Sequence, residues 1–250
     1  MVNPDKMEKT DKAIGIMQPY FLPYIGYWQL LNAVDEFIVY DNIQFTKKGW
    51  IHRNRHLSGG NDKMFSIPLK KDSDYLDICE RFPAPQYKKD GIKLMRKLEG
   101  AYQKAPFFEE TFPLINQCIN QEDTIKIENK NLFEVVLYSV KKIADHLEIN
   151  TKMTISSTID INHDLKAADR VVDICHHQKA TTYINSIGGT HLYDKQSFKE
   201  QGLKLCFLKA RLIEYKQFNE NFIPALSIID ILMFTGKQGA IKMLKEYEIL

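Results

Sequence analysis

Between Ile14 and Leu57 the chain reads IGIMQPYFLPYIGYWQLLNAVDEFIVYDNIQFTKKGWIHRNRHL, and two short stretches of it concentrate side chains that can do chemistry. Gln18, Tyr20 and Tyr24 follow one apolar run, and Asp41, Gln44, Lys47, Trp50, Arg53, Asn54 and Arg55 follow another. Lys47, Arg53 and Arg55 offer donors to an anion, and an arginine can grip a phosphate or carboxylate through two parallel bonds. Asp41 is the carboxylate suited to proton transfer or to a sugar hydroxyl. The tyrosines and Trp50 present flat faces on which a base or sugar ring can stack. A packed aromatic underside beneath solvated charges would use the same residue types. So many hydrogen-bonding groups at two strand ends favour a ligand site.

Two further stretches carry polar groups in apolar surroundings. In YINSIGGTHLY, Gly188 and Gly189 follow a strand-like run, where glycine lets the backbone approach a ligand and present its N–H groups. Asn185 and Tyr193 add hydrogen-bonding capacity there, and His191 is a candidate acid or base near neutral pH. A plain strand-to-helix turn reads the same way. In FIPALSIIDILMF, Ser227 and Asp230 must find partners once buried, and tying a helix to the sheet is the expected role. The chain has no Walker loop, GxGxxG fingerprint or GxSxG elbow. His52 and His56 lie four residues apart with no carboxylate at metal-ligand spacing, so no metal centre is expected. The pair His176-His177 suits a helix C-terminus.

These stretches need a frame that brings distant loops to one rim. Ala13–Met17 reads as a buried strand, Gln18-Pro19 stops it, and a helix of about three turns follows from Gly26. Residues 36 to 45 return to a strand apolar on both faces. Strand, helix, strand predicts a parallel βαβ unit with a right-handed crossover. Residues 64 to 69 and 75 to 82 read as short strands. Helical spacing then runs through 90–104, 107–120 and 132–148. Residues 151–161 give a strand, and 164–179 a helix with Asp164 placed to cap it. Strands at 181–186 and 203–208 follow, with two closing helices around Thr235-Gly236. The expected fold is α/β: a mainly parallel, Rossmann-like sheet flanked by helices, one domain over 12–250 with a helical segment at about 87–150, after a disordered leader over 1–11.

Hydrophobic residues make up 44% and charged residues 26%, as in an ordinary globule. A net charge of +2 argues against a general nucleic-acid or membrane binder. No apolar run is long enough to span a bilayer, and MVNPDKMEKTDKAIG has no signal-peptide core, so a cytoplasmic protein is expected. The four cysteines, Cys79, Cys118, Cys175 and Cys206, form no CxxC pair and read as free thiols in apolar settings.

From MQPYFLPYIGYWQLLNAVDEFIVYDNIQFTKKGWIHRNR onward the sequence resembles the WbqC-like family, with YINSIGGTHLYDKQSF and LSIIDILMFTG in support. The resemblance implies a role in bacterial polysaccharide and O-antigen loci. It points to a transferase that moves an acyl or aminoacyl group, such as glycyl, onto an amino sugar. The implied partners are a nucleotide-linked sugar or other small molecule and a carrier protein, with the acyl or aminoacyl donor in the place of a cofactor. A more distant likeness joins the strand, aromatic-proline loop, helix and strand to HUP-type nucleotide-binding enzymes. That implies ATP and magnesium, but PYFLPYIGYW has tyrosines where those enzymes carry an HxGH-type histidine pair. A non-catalytic scaffold of a biosynthetic complex is the third reading.

Overall fold

The computed structural model describes residues 11–121 and 129–250; the leader expected over 1–11 lies, apart from Asp11, outside the described residues. Strand β1 (Ala13–Met17) leads through α1 (Ile25–Ala33) to β2 (Glu36–Val39). After the hairpin strands β3 (Arg53–Ser58) and β4 (Asn61–Ser66) come three helices, α2 (Tyr87–Tyr102), α3 (Phe108–Asn120) and α4 (Leu132–His146). The chain then alternates through β5 (Lys152–Ile155), α5 (Ala167–His177), β6 (Thr182–Ser186), α6 (Lys195–Glu200) and β7 (Lys204–Ala210). It closes with α7 (Ile228–Met243) and β8 (Tyr247–Ile249).

Six strands form one sheet in the order β5-β2-β1-β6-β7-β8, parallel except for β8, which runs antiparallel to β7. Alternate strand residues point to opposite faces, and both faces are covered. Ile14, Ile16, Ile38, Tyr183, Leu205 and Phe207 pack with Val171 and Ile174 of α5 and Phe198 of α6. Phe37, Val39, Ile184, Cys206 and Leu208 pack on the other side with α1, α7 and the α2–α4 helices, all in one apolar cluster. This is the doubly wound α/β arrangement. Gly15 lets β1 sit close to α1: a Cβ there would stand 3.2 Å from the Phe37 ring, which would have to give by a few tenths of an ångström.

Several expected elements change. The strand expected over 36–45 ends at Val39, because the chain then leaves the sheet toward the residue-46–50 turn. The strand expected at 64–69 is β4, paired with β3 outside the main sheet through a turn at Gly59 and Gly60, both with positive φ. Residues 75–82 hold a 3-10 turn at Ile78–Glu80, closed by a capping box between Asp77 and Glu80, with only an isolated Gln44–Asp77 bridge. Asp164 does not cap α5. The helix starts after Lys166, and the Asp164 backbone N–H donates to Asn162 instead. The two closing helices expected around Thr235-Gly236 do meet there, at a break where Gly236 has φ 66° and ψ −177°; the differences are that they begin at Ile228 and that the last residues form β8. Phe107 lies where a Cβ at Gly236 would be, 2.5 Å away.

Candidate functional site

The order of strands makes the fold's winding reverse between β1 and β6, and ligands in such sheets bind outside the carboxyl ends at that point. Gln18 to Tyr24 leave the end of β1; Ile187 to Gly189 leave the end of β6. Pro19 and Pro23 keep the first of these connections out of a helix, and Leu22 takes a left-handed φ of 46°.

That connection is locked from two distant parts of the chain. Asn54 on β3 donates through Nδ2 to the carbonyls of Phe21 (3.2 Å) and Leu22 (2.8 Å). At the start of α7 the Ser227 hydroxyl donates to Leu22 O at 2.7 Å and the Ile228 N–H to Pro23 O at 3.0 Å. The Ser227 N–H reaches Arg55 O at 2.9 Å, closing the triangle between loop, hairpin and helix. Between these segments lies a cleft of about 280 Å³, lined by Tyr20, Pro23, Tyr24, Trp50, Asn54, Arg55 and Ala225.

The lining offers rings, hydroxyls and one cation. The guanidinium of Arg55 is held by Asp62 (3.1 Å) and by Ala225 O (3.2 Å), while its buried Nε has no partner among the described residues. The Trp50 ring lies 5.7 Å from the Arg55 guanidinium and 5.8 Å from that of Arg53. Burial pushes the phenols of Tyr20 and Tyr24 above their ordinary pKa, with Tyr24 adding to the rise at Tyr20, so both stay protonated. Such a surface can stack a ring, hydrogen-bond its hydroxyls and hold one negative group.

Five of the sequence-selected residues, Tyr20, Tyr24, Trp50, Asn54 and Arg55, therefore meet in one cleft, with Asn54 acting as its lock. Arg53 instead donates to the carbonyls of Gly49 (2.9 Å) and Lys48, which shapes the turn before β3. Gln44 donates to Asp74 O at 3.0 Å, and Lys47 pairs with the Asp74 carboxylate at 2.7 Å. Asp41 is buried, and its carboxylate accepts from the Ser156 hydroxyl (2.9 Å), the Ser157 N–H (2.9 Å) and the Ser157 hydroxyl (2.6 Å). It joins the ends of β2 and β5 and does not line the cleft. Gln18 has no hydrogen-bond partner among the described residues.

The β6 end is separate from this lining. Asn185 is buried with its Oδ1 accepting from the Ser186 N–H at 2.8 Å. A Cβ at Gly189 would stand 2.2 Å from Asn185 Nδ2, so glycine here serves close packing. Gly188 and His191 are exposed, and Tyr193 packs against Tyr183 and Phe198. Sequence reasoning missed Ala225 and the anchoring Asp62. Ala225 has a left-handed φ of 53°, a conformation its residue type does not announce. The Gly59-Gly60 pair was the available signal for the hairpin that carries Asp62.

A profile of the WbqC-like protein family matches residues 18–241, a span that opens on Gln18 and includes every residue of the cleft lining. The uncharacterized protein Rv1507c of Mycobacterium tuberculosis (strain ATCC 25618 / H37Rv) is 26% identical over 234 residues, covering 91% of this chain and 96% of that protein. No solved structure matches the chain.

Proposed function

The chain belongs to the WbqC-like protein family, and from that premise we propose that it is a transferase of surface-polysaccharide biosynthesis acting on an amino sugar carried on a nucleotide. The observation that carries this reading is the cleft that Tyr20, Tyr24 and Trp50 line together with Arg55, whose guanidinium lies 5.7 Å from the Trp50 ring. In the proposal Arg55 holds a phosphate of the nucleotide-sugar, the aromatic rings stack on sugar or base, and the phenol hydroxyls bind sugar hydroxyls.

The reaction is acyl or aminoacyl transfer. The sugar amine attacks the acyl carbon of an activated donor, the C–N bond forms, the bond to the donor's leaving group breaks, and the amine proton passes to a base. Of the two groups the sequence offers for that proton, Asp41 already carries three donors and His191 lies outside the cleft lining, so in the proposal solvent water takes the proton.

Thermal-shift measurements over a panel of nucleotide-linked amino sugars test the reading. A ligand at a hundred times its Kd adds about 2.7 kcal/mol, a rise of about 5 °C or more for a chain of this size. Arg55→Met and Trp50→Ala are expected to erase that rise. No response to any nucleotide-sugar overturns the proposal.

A further inference from the structure

On the far side of the β3–β4 hairpin a second groove of about 330 Å³ runs between the hairpin and α2. Its floor is His56 and Phe65, whose rings lie 5.9 Å apart. Its wall is one face of α2, where Asp90, Lys93, Leu94 and Lys97 follow helical spacing. Arg55 lines the first cleft and its neighbour His56 the second.

His56 decides what this groove can bind. It is 4% exposed, and its Nδ1 lies 3.0 Å from Leu57 O. A carbonyl oxygen only accepts, so Nδ1 carries the proton in that bond. Burial, the larger effect, and the charge of Lys97 lower the ring's pKa, outweighing the bond to Leu57, so the imidazole is neutral and Nε2 is a bare acceptor. Nε2 has no hydrogen-bond partner among the described residues and belongs to a ring that lines the groove. Lys97 is exposed beside it, and Lys93 is held at 2.9 Å by Asp90. A ligand satisfying this wall brings negative charge to the lysines and an O–H donor to the imidazole.

We propose that the groove between the hairpin and α2 is a second ligand site for a small hydroxylated phosphate monoester, its phosphate on Lys93 and Lys97 and a hydroxyl donating to His56 Nε2. A bare anion satisfies only half of the site, and a neutral polyol only the other half. The site shares no lining residue with the cleft at Trp50, so its occupancy is independent of the function proposed above.

Isothermal titration of the full chain with glycerol 3-phosphate tests this, with methyl phosphate and glycerol as partial probes. Saturable one-to-one binding of glycerol 3-phosphate is expected, at least about tenfold tighter than either partial probe, since each loses one set of hydrogen bonds. Lys97→Met, on the exposed face of α2, is expected to weaken it about tenfold or more with the fold unchanged. His56→Gln, which keeps a side-chain acceptor, retains more affinity than His56→Leu. Arg55→Met leaves the binding as it was. Absence of saturable binding, equal affinity for methyl phosphate, or indifference to Lys97→Met each overturns the proposal. Loss of binding in Arg55→Met overturns it too, by moving the ligand to the first cleft.

Discussion

Tyr102 donates its phenol O–H to Asp230 Oδ1 at 2.8 Å while the same oxygen accepts the Leu57 N–H at 2.8 Å. One side chain of α2 thus joins the buried carboxylate of α7 to the backbone of β3. The other carboxylate oxygen takes the Tyr215 hydroxyl (2.6 Å) and Gln217 Nε2 (2.7 Å), so Asp230 ties α7 both to α2 and to the 215–217 segment. Tyr102→Phe leaves a buried N–H unpaired and is expected to cost about 1–3 kcal/mol. Asp230→Ala strands three donors and is expected to cost about 3 kcal/mol or more. Urea unfolding at constant m-value reads both, and a Tyr102→Phe midpoint equal to wild type contradicts the coupling.

The two tryptophans report on different places. Trp28 is fully buried with its indole N–H on Pro23 O at 3.0 Å, whereas Trp50 is 40% exposed at the mouth of the cleft. Iodide is therefore expected to quench Trp50 and to leave Trp28 emitting. A ligand in the cleft should shield Trp50 from iodide, and Trp50→Phe should remove the quenchable fraction altogether. Shielding that survives Trp50→Phe would place the ligand elsewhere.

Asp41 was the natural base in the sequence, and its surroundings give it a holding role. Asp41→Ala removes the acceptor for two serine hydroxyls and the Ser157 N–H, so about 2–3 kcal/mol of stability should be lost. Amide exchange at Ser157 should accelerate more than exchange in β7. If Asp41→Asn keeps near-native stability yet abolishes turnover, the carboxylate does take part in chemistry.

What was legible followed from burial on both faces. Phe37, Ile38 and Val39 are apolar in succession because sheet neighbours and helices cover both sides, and the α2–α4 periodicity survives because each helix buries one stripe. Strand β3 was illegible because RNRHLS is polar, and it is held by β4, Asn54's lock and α2 rather than by a buried apolar face. The YEI of β8 pairs only across a long sequence gap with β7, which no local pattern encodes. Within the site, the clustering of Tyr20, Tyr24 and Trp50 could be anticipated from two parallel strand ends. The diversion of Lys47 to Asp74 could not, because that partner lies 27 residues away in an irregular segment.

Glu36 sits at the opposite, amino end of β2, and its pH behaviour can be separated from the site. Burial alone would raise its pKa, but hydrogen bonds from Lys12 (2.6 Å), Lys152 (2.8 Å) and Thr154 outweigh burial and bring it down to about 2. A carboxyl whose folded pKa lies below its unfolded value of 4.5 contributes stability above pH 4.5 and loses it as the pH falls toward 2. The full linkage is about 2–3 kcal/mol once solvent around the two lysines is allowed for. Glu36→Gln should therefore flatten the fall in unfolding free energy between pH 4.5 and 2 while ligand shielding of Trp50 at neutral pH is retained. A variant whose acid profile overlays that of the wild type would show that other carboxyls set the acid limit.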